Sequence, residues 1–326
     1  MSPRAIRIAT RSSALALAQA AVVGDALGGL TGAAVSLVHA RTAGDRDRRA
    51  LSVIGGTGVF VGAVRDLVLS GRADLGVHSF KDLPTVPHPD LQVASVPVRE
   101  DPRDALVARD GLALDQLPDG ARIGTGSPRR AAQLAARARV VGRHWDIVPV
   151  RGNVDTRLRM VGADVDAVVV AAAGLARLNR LDVASEVLAP EQLLPAPAQG
   201  ALAIEACSEL PDWLTDGLAA LDDPDSHAAA VAERAVLAEL GAGCSAPVGA
   251  LATTAPDRTV SLLALITAPG GTRQWHADAS GPRASADDIG RRAARQLVAA
   301  GADVVTAVTT GDPATAEVPE FGGSVQ

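Results

Sequence analysis

Apolar and polar positions along this chain follow a repeating order. Arg4-Ala5-Ile6-Arg7-Ile8-Ala9 alternates with the period of a half-buried strand. Thr10-Arg11-Ser12-Ser13 then leads into an alanine-rich run that predicts a helix over roughly 13–27, capped by the serines and ended by Gly28-Gly29. A second strand is expected at 35–40, followed by a polar loop. Gly55-Gly56-Thr57-Gly58-Val59-Phe60 is a glycine loop opening a helix to about residue 70. Leu75 and Val77 mark a buried strand that breaks into the turn Ser79-Phe80-Lys81-Asp82-Leu83-Pro84, which Pro84 closes because it offers no N–H to a ladder. A strand over 91–96 completes a βαβ rhythm.

Pro97-Val98-Arg99-Glu100-Asp101-Pro102-Arg103 reads as a linker, and the rhythm restarts beyond it. Strands are predicted at 104–108, 122–124, 147–149 and 166–170, with helices opening at Pro128, after Arg151-Gly152-Asn153, and at Ala173. Pro195-Ala196-Pro197-Ala198-Gln199-Gly200 is a second linker, and the strand 201–206 after it returns to the first unit. The expected fold is therefore α/β: two hinged periplasmic-binding-protein-like lobes with doubly wound mixed sheets, residues 1–98 with 200–221 and residues 99–199. Residues 222–326 read as a smaller α+β domain. It has a helix over 227–240, strands over 246–253 and 259–267, a hairpin at Pro269-Gly270-Gly271 and a helix over 287–300. The tail from Gly311 is expected to be loose.

Composition narrows the function. Aromatics are 2% with no Tyr, and the formal net charge is -6, so bases have few stacking platforms and no nucleic-acid partner is expected. Cys207 and Cys244 cannot form a disulfide framework, which favours a reducing compartment. The six His show no paired ligand spacing, so no metal is expected. The arginines and apolar run at the N-terminus superficially resemble a secretion signal, but Gln19 interrupts the run and no stretch reads as a membrane span. A cytoplasmic monomer is expected.

Lys81 is the single lysine in a chain whose Lys+Arg total is 31. Because lysine and arginine are not interchangeable, the lone lysine reads either as a compact ammonium needed at that turn or as a surface ion pair worth little. Arg11, Arg129, Arg130, Arg151, Arg157 and Arg177 fall at strand-to-helix turns or first helical turns. Ser127 is a natural N-cap and Pro128 a natural first residue, which places Arg129 and Arg130 where they oppose the helix dipole unless an anion sits between. Phosphate-loop motifs fail: the glycine loop lacks Gly-Lys-Ser/Thr, and Arg129 stands where a dinucleotide fingerprint needs glycine. Cys244, between glycines and Pro247, suits a reachable thiolate, whereas Cys207 after a buried strand suits the core.

Val77-His78-Ser79-Phe80-Lys81-Asp82-Leu83-Pro84, Arg99-Glu100-Asp101-Pro102-Arg103-Asp104, Arg151-Gly152-Asn153-Val154 and Gly243-Cys244 with Pro247 resemble the hydroxymethylbilane synthase (porphobilinogen deaminase) family. The resemblance implies a dipyrromethane cofactor carried by Cys244 through a thioether. It further implies four porphobilinogen additions with loss of ammonia, and hydrolytic release of a linear tetrapyrrole. Asp82 would be the catalytic acid beneath the pyrroles. Lys81, Ser127, Arg129 and Arg130, with Ser13, Ser79 and Thr125, would hold cofactor carboxylates. Arg11, Arg151, Arg157 and Arg177, with Gln19 and Gln199, would serve substrate and growing chain. Thr57 replaces a common lysine, and Thr125-Gly126-Ser127-Pro128 replaces a common Thr-Ser-Ser-Leu, losing one hydroxyl. Rival readings are a non-enzymatic two-lobed binding protein for a small anion and a cysteine-nucleophile hydrolase.

Overall fold

The computed structural model describes residues 4–40, 58–243 and 245–302, without the side chains of residues 58–60. The first unit runs β1 (Ala5–Arg11), α1 (Ala14–Thr31), β2 (Ala34–Ala40), α2 (Gly58–Leu69), β3 (Leu75–Ser79) and β4 (Gln92–Ser95). The second runs β5 (Asp104–Ala108), β6 (Arg122–Gly124), α3 (Pro128–Val140), β7 (Asp146–Val148), α4 (Val154–Arg159), β8 (Ala167–Ala171), α5 (Ala172–Arg177) and β9 (Glu186–Val187). Then follow β10 (Leu202–Ala206) and α6 (Asp212–Leu221). The chain continues through α7 (Pro224–Glu239), β11 (Val248–Thr254), β12 (Thr259–Thr267), β13 (Gln274–Pro282) and α8 (Ala286–Ala299).

The two lobes share one topology, with strand orders β2-β1-β3-β10-β4 and β7-β6-β8-β5-β9. In each, four of the five strands run parallel, and the fourth in the order is antiparallel and follows a crossing from the other lobe: β10 between β3 and β4, β5 between β8 and β9. Mixed sheets with helices on their faces bury both sides, which explains near-continuous apolar strands such as Ala167–Ala171. Ile6, Ile8, Leu75, Val77, Leu202 and Ile204 pack with Val23 and Leu27 of α1 in the first lobe. Leu106, Ile123, Val169 and Leu134 do the same in the second. The third sheet, β11-β12-β13, is an antiparallel meander covered by α7 and α8.

Three expectations are corrected. Helix α1 runs through Gly28-Gly29 and ends at Gly32, whose left-handed φ of 68° lets its N–H cap the Gly28 carbonyl. The same helix is long and apolar enough to cross a membrane by composition, contrary to the sequence reading, although here Ala20, Val23 and Leu27 lie on the sheet. Strand β9 and helix α6 were not anticipated, because a two-residue edge strand and an amphipathic segment bounded by charges carry little periodic signal, whereas β13 is the second arm of the expected hairpin at Pro269-Gly270-Gly271. Residues 55–57 of the glycine loop, including Thr57, and the tail from Gly311 lie outside the described residues.

Where the crossings touch, Gly200 has φ +88°, and a Cβ there would stand 2.3 Å from the Glu100 carbonyl oxygen. Only glycine fits so close an approach. Beneath it, the Arg99 guanidinium donates to both Glu233 oxygens at 2.7 and 2.8 Å. Glu233, fully buried on α7, also accepts the N–H groups of Ala198 and Ala252. One carboxylate thereby ties both crossings to the third domain.

Candidate active site

The strand ends of the two lobes meet through Lys81 beyond β3, which reaches Gln199 and through it Asp104 of β5; ligands in such sheets usually sit at strand ends. From the first lobe, Arg11 ends β1, and the Ser13 hydroxyl caps α1 by accepting from the Ala16 N–H. Gln19 is buried, with its amide nitrogen 2.8 Å from the Ser79 hydroxyl at the end of β3. Beyond Ser79, Phe80–Asp82 form a single 3₁₀ turn. Phe80 is buried beneath it, Lys81 is half-buried and Asp82 is exposed.

From the second lobe, Thr125 follows β6, and the Ser127 hydroxyl caps α3 by accepting the Arg130 N–H. Arg129 and Arg130 are therefore in the first helical turn, as the spacing predicts. The anion between them is part of the protein. The Asp104 carboxylate, fully buried at the start of β5, receives Arg129 at 2.7 Å and Arg130 at 2.6 Å and 3.0 Å. Burial alone would raise the Asp104 carboxyl, but the two guanidiniums outweigh it and hold it far below the ordinary carboxylate range. Burial lowers Arg129 in turn. Asp104 is the functional residue that sequence reasoning missed. Its signal was an acid opening the otherwise apolar run Ala105-Leu106-Val107-Ala108, since acids are almost never fully buried unless paired.

Gln199, expected among the residues that serve substrate and growing chain, is only 1% exposed. Its oxygen accepts from the Lys81 ammonium at 3.2 Å, and its nitrogen donates to Pro102 and Asp104 oxygens, each at 2.8 Å. It is a strut joining Lys81 of one lobe to the Arg129–Asp104–Arg130 cluster of the other. Lys81 is pushed down to about 8, first by burial and then by the like charges of Arg130 and Arg129, while Asp82 and Asp104 oppose the shift.

Arg177 donates to the Gly200 carbonyl at 2.6 Å, so it also braces a crossing. Arg157 donates to the Gly152 carbonyl, and burial and the Arg130 charge lower its pKa. Arg151 is exposed. The missing hydroxyl at Gly126 has a steric cause: a Cβ there would lie 2.7 Å from the Val150 carbonyl oxygen.

Cys244 lies outside the described residues, but its neighbourhood does not. The Thr85 hydroxyl lies 3.5 Å from the Ala242 carbonyl, which brings the segment before the cysteine against the turn carrying Asp82. Arg129 and Arg130 share the Asp104 carboxylate, and the buried Nε of Arg129 makes no hydrogen bond among the described residues. This donor set, rich in guanidiniums and short of anions, fits a group bearing several carboxylates, such as dipyrromethane.

Residues 6–214 match the family model described as porphobilinogen deaminase, dipyromethane cofactor binding domain, and residues 227–299 that of the porphobilinogen deaminase C-terminal domain. The chain is 54% identical over 258 residues to porphobilinogen deaminase 1 of Streptomyces coelicolor, covering 79% of this chain and 81% of that one. It is 50% identical over 306 residues to porphobilinogen deaminase of Nocardia farcinica, covering 91% and 86%. Among solved structures, a periplasmic substrate-binding protein of an ABC transporter from Coxiella burnetii aligns with 12% identity and a TM-score of 0.43, over 70% of this chain and 96% of that one. Matching family models across both the two lobes and the third domain, with relatives at half identity over most of its length, the chain belongs to the porphobilinogen deaminase family.

Proposed function

We propose that this chain joins four porphobilinogen molecules head to tail into hydroxymethylbilane, releasing one ammonia at each addition. The carrying observation is the juxtaposition of an exposed acid, Asp82, with an anion-poor cluster of guanidiniums across the cleft and the flank of Cys244 beside it. The lobes are read as residues 1–98 with 200–221 and residues 99–199, and the domain carrying Cys244 as 222–326.

When bound through Cys244, dipyrromethane supplies the free α-carbon that serves as nucleophile. The chain's own groups do the rest. Asp82 holds a negative charge where loss of ammonia leaves a positive one on the incoming pyrrole, an electrostatic role that needs no reorganisation. In its protonated form the same group passes its proton to the leaving amine, and the carboxylate so formed takes the proton that the attacked carbon gives up. Lys81, Ser127, Arg129 and Arg130, aided by Ser13, Ser79 and Thr125, hold cofactor carboxylates. Arg11, Arg151, Arg157 and Arg177 hold those of substrate and growing chain, with Gln19 ordering Ser79. Every added pyrrole brings two carboxylates, and the planar guanidinium fork binds them bidentately. Burial disfavours the charge on Arg129, Arg157 and Arg177, so an arriving anion finds each of them a favourable partner.

A non-enzymatic anion-binding protein would need neither Cys244 nor the third domain, and the family matches span both. The chain is read as a cytoplasmic monomer whose partner is porphobilinogen, with no nucleic acid and no membrane; the net charge of -6 supports the absence of nucleic acid. Incubation with porphobilinogen should release ammonia and a product that cyclises to uroporphyrinogen. Intact mass should show a dipyrromethane adduct on Cys244 that reductant does not remove. A native, fully active preparation with unmodified Cys244 defeats the reading.

A further inference from the structure

Nothing among the described residues holds the Asp82 carboxylate in place by a hydrogen bond, although its position decides what it can stabilise. The side chain is exposed and sits on one turn of 3₁₀ helix, closed at its C-cap by the Leu83 N–H donating to the Phe80 carbonyl at 3.2 Å. A single turn leaves its last carbonyls without intrahelical donors. Here one side chain of the third domain meets the first carbonyl of the turn and two carbonyls just beyond it. Arg234 of α7 donates to the Phe80 carbonyl at 2.9 Å, the Leu83 carbonyl at 3.1 Å and the Pro84 carbonyl at 2.6 Å. Its guanidinium carbon also lies 4.7 Å from the centre of the Phe80 ring.

The geometry points to Arg234 as a positioning residue for Asp82: a clamp from the cysteine-bearing domain that sets where the carboxylate stands in the cleft. This rests on the role assigned to Asp82 above. Three carbonyls at different directions and an aromatic face need several rigidly placed donors on a flat cation, which arginine has and lysine lacks. Ala230, one helical turn earlier on α7, is buried in the same cluster as Phe80 and Leu83, so the helix supports the turn below and grips it above. Lys81 is fixed independently by Gln199, so the residues on both sides of Asp82 are tied to different parts of the molecule. Any shift of α7 then moves the acid and the segment before Cys244 together, through Arg234 and through the Thr85–Ala242 contact.

The test is a double-mutant cycle on the cofactor-loaded enzyme, comparing Arg234→Ala, Arg234→Lys, Asp82→Asn and the Arg234→Ala/Asp82→Asn pair. Misplacing a catalytic group by a fraction of an ångström to an ångström predicts a kcat loss of roughly 10- to 100-fold for Arg234→Ala, with KM changed by less than about twofold. In the Asp82→Asn background the same substitution should cost less than about twofold, because the group it positions is already gone. Hydrogen exchange across residues 79–86 should accelerate in Arg234→Ala, a readout independent of turnover. Arg234→Lys should fall between the two and, if the alanine variant does not fold, carries the same cycle. Near-normal turnover of Asp82→Asn alone overturns the assignment of Asp82 and this proposal with it. A crippled Asp82→Asn beside an Arg234→Ala of normal turnover, or losses that multiply in the pair, overturns the clamp alone.

Discussion

Each lobe receives one strand from the other, and each of these strands carries a buried carboxylate paired with arginine. In the second lobe it is Asp104 on β5, between Arg129 and Arg130. In the first it is Glu205 on β10, which accepts from Arg65 of α2 at 2.7 and 2.9 Å and lies 3.2 Å from the His78 ring. The chemistry is the same, but the position along the strand is not. Asp104 pairs with Ala171, the last residue of β8, so its partners stand at the end of the sheet. Glu205 pairs with Gly76 inside β3, one turn of the ladder away from the cleft, and its partners lie within the lobe. A buried ion pair at the strand end can double as a binding site, because a ligand adds to a charge cluster already desolvated. The same pair deeper in the sheet serves only the fold.

That contrast can be tested from the largest expected effect downward. Arg129→Leu should destabilise the protein by about 3–5 kcal/mol in urea titrations, because Asp104 is left buried with only Arg130. It should also abolish cofactor loading, read by intact mass. A stable, normally loaded variant breaks the comparison.

Asp82→Asn should lower kcat by about 10²–10³-fold with an unchanged urea midpoint, since it removes charge from an exposed side chain and keeps its shape. A shifted midpoint with near-normal turnover would make Asp82 structural.

The third effect is acid lability of the first lobe. Burial opposes ionisation of Glu205, but His78 and Arg65 outweigh it and bring its pKa down to about 2. A depressed folded pKa stabilises the protein above the ordinary glutamate range, and that contribution drains as pH falls toward about 2. Unfolding titrations should therefore lose on the order of 3 kcal/mol across that window. Glu205→Gln should flatten the slope while leaving cofactor loading intact. An unchanged slope would remove Glu205 from the acid response.

Smallest is Ser127→Ala, which removes the α3 cap and should cost about 1 kcal/mol. If the hydroxyl also meets a cofactor carboxylate, loading slows as well, and the comparison is sharpened. A change in stability alone would confine Ser127 to capping.

What the sequence determined by itself was local or carried by motif. The capped start of α3 could be read from Ser127 and Pro128, the βα order from apolar runs and glycines, and the family from four short motifs. Gly28-Gly29 misled because a glycine pair signals a stop by propensity, whereas the packed face of α1 carries the helix on to Gly32. Only the tertiary structure decided where charges meet. Asp104 is 25 residues from Arg129 along the chain, Gln199 is 118 from Lys81, and Arg234 is 154 from Phe80. Their encounters follow from two chain crossings and a third domain folding back. Side-chain chemistry is written residue by residue, but an ion pair needs both partners desolvated at one point, and that point exists only once the sheets have closed around it.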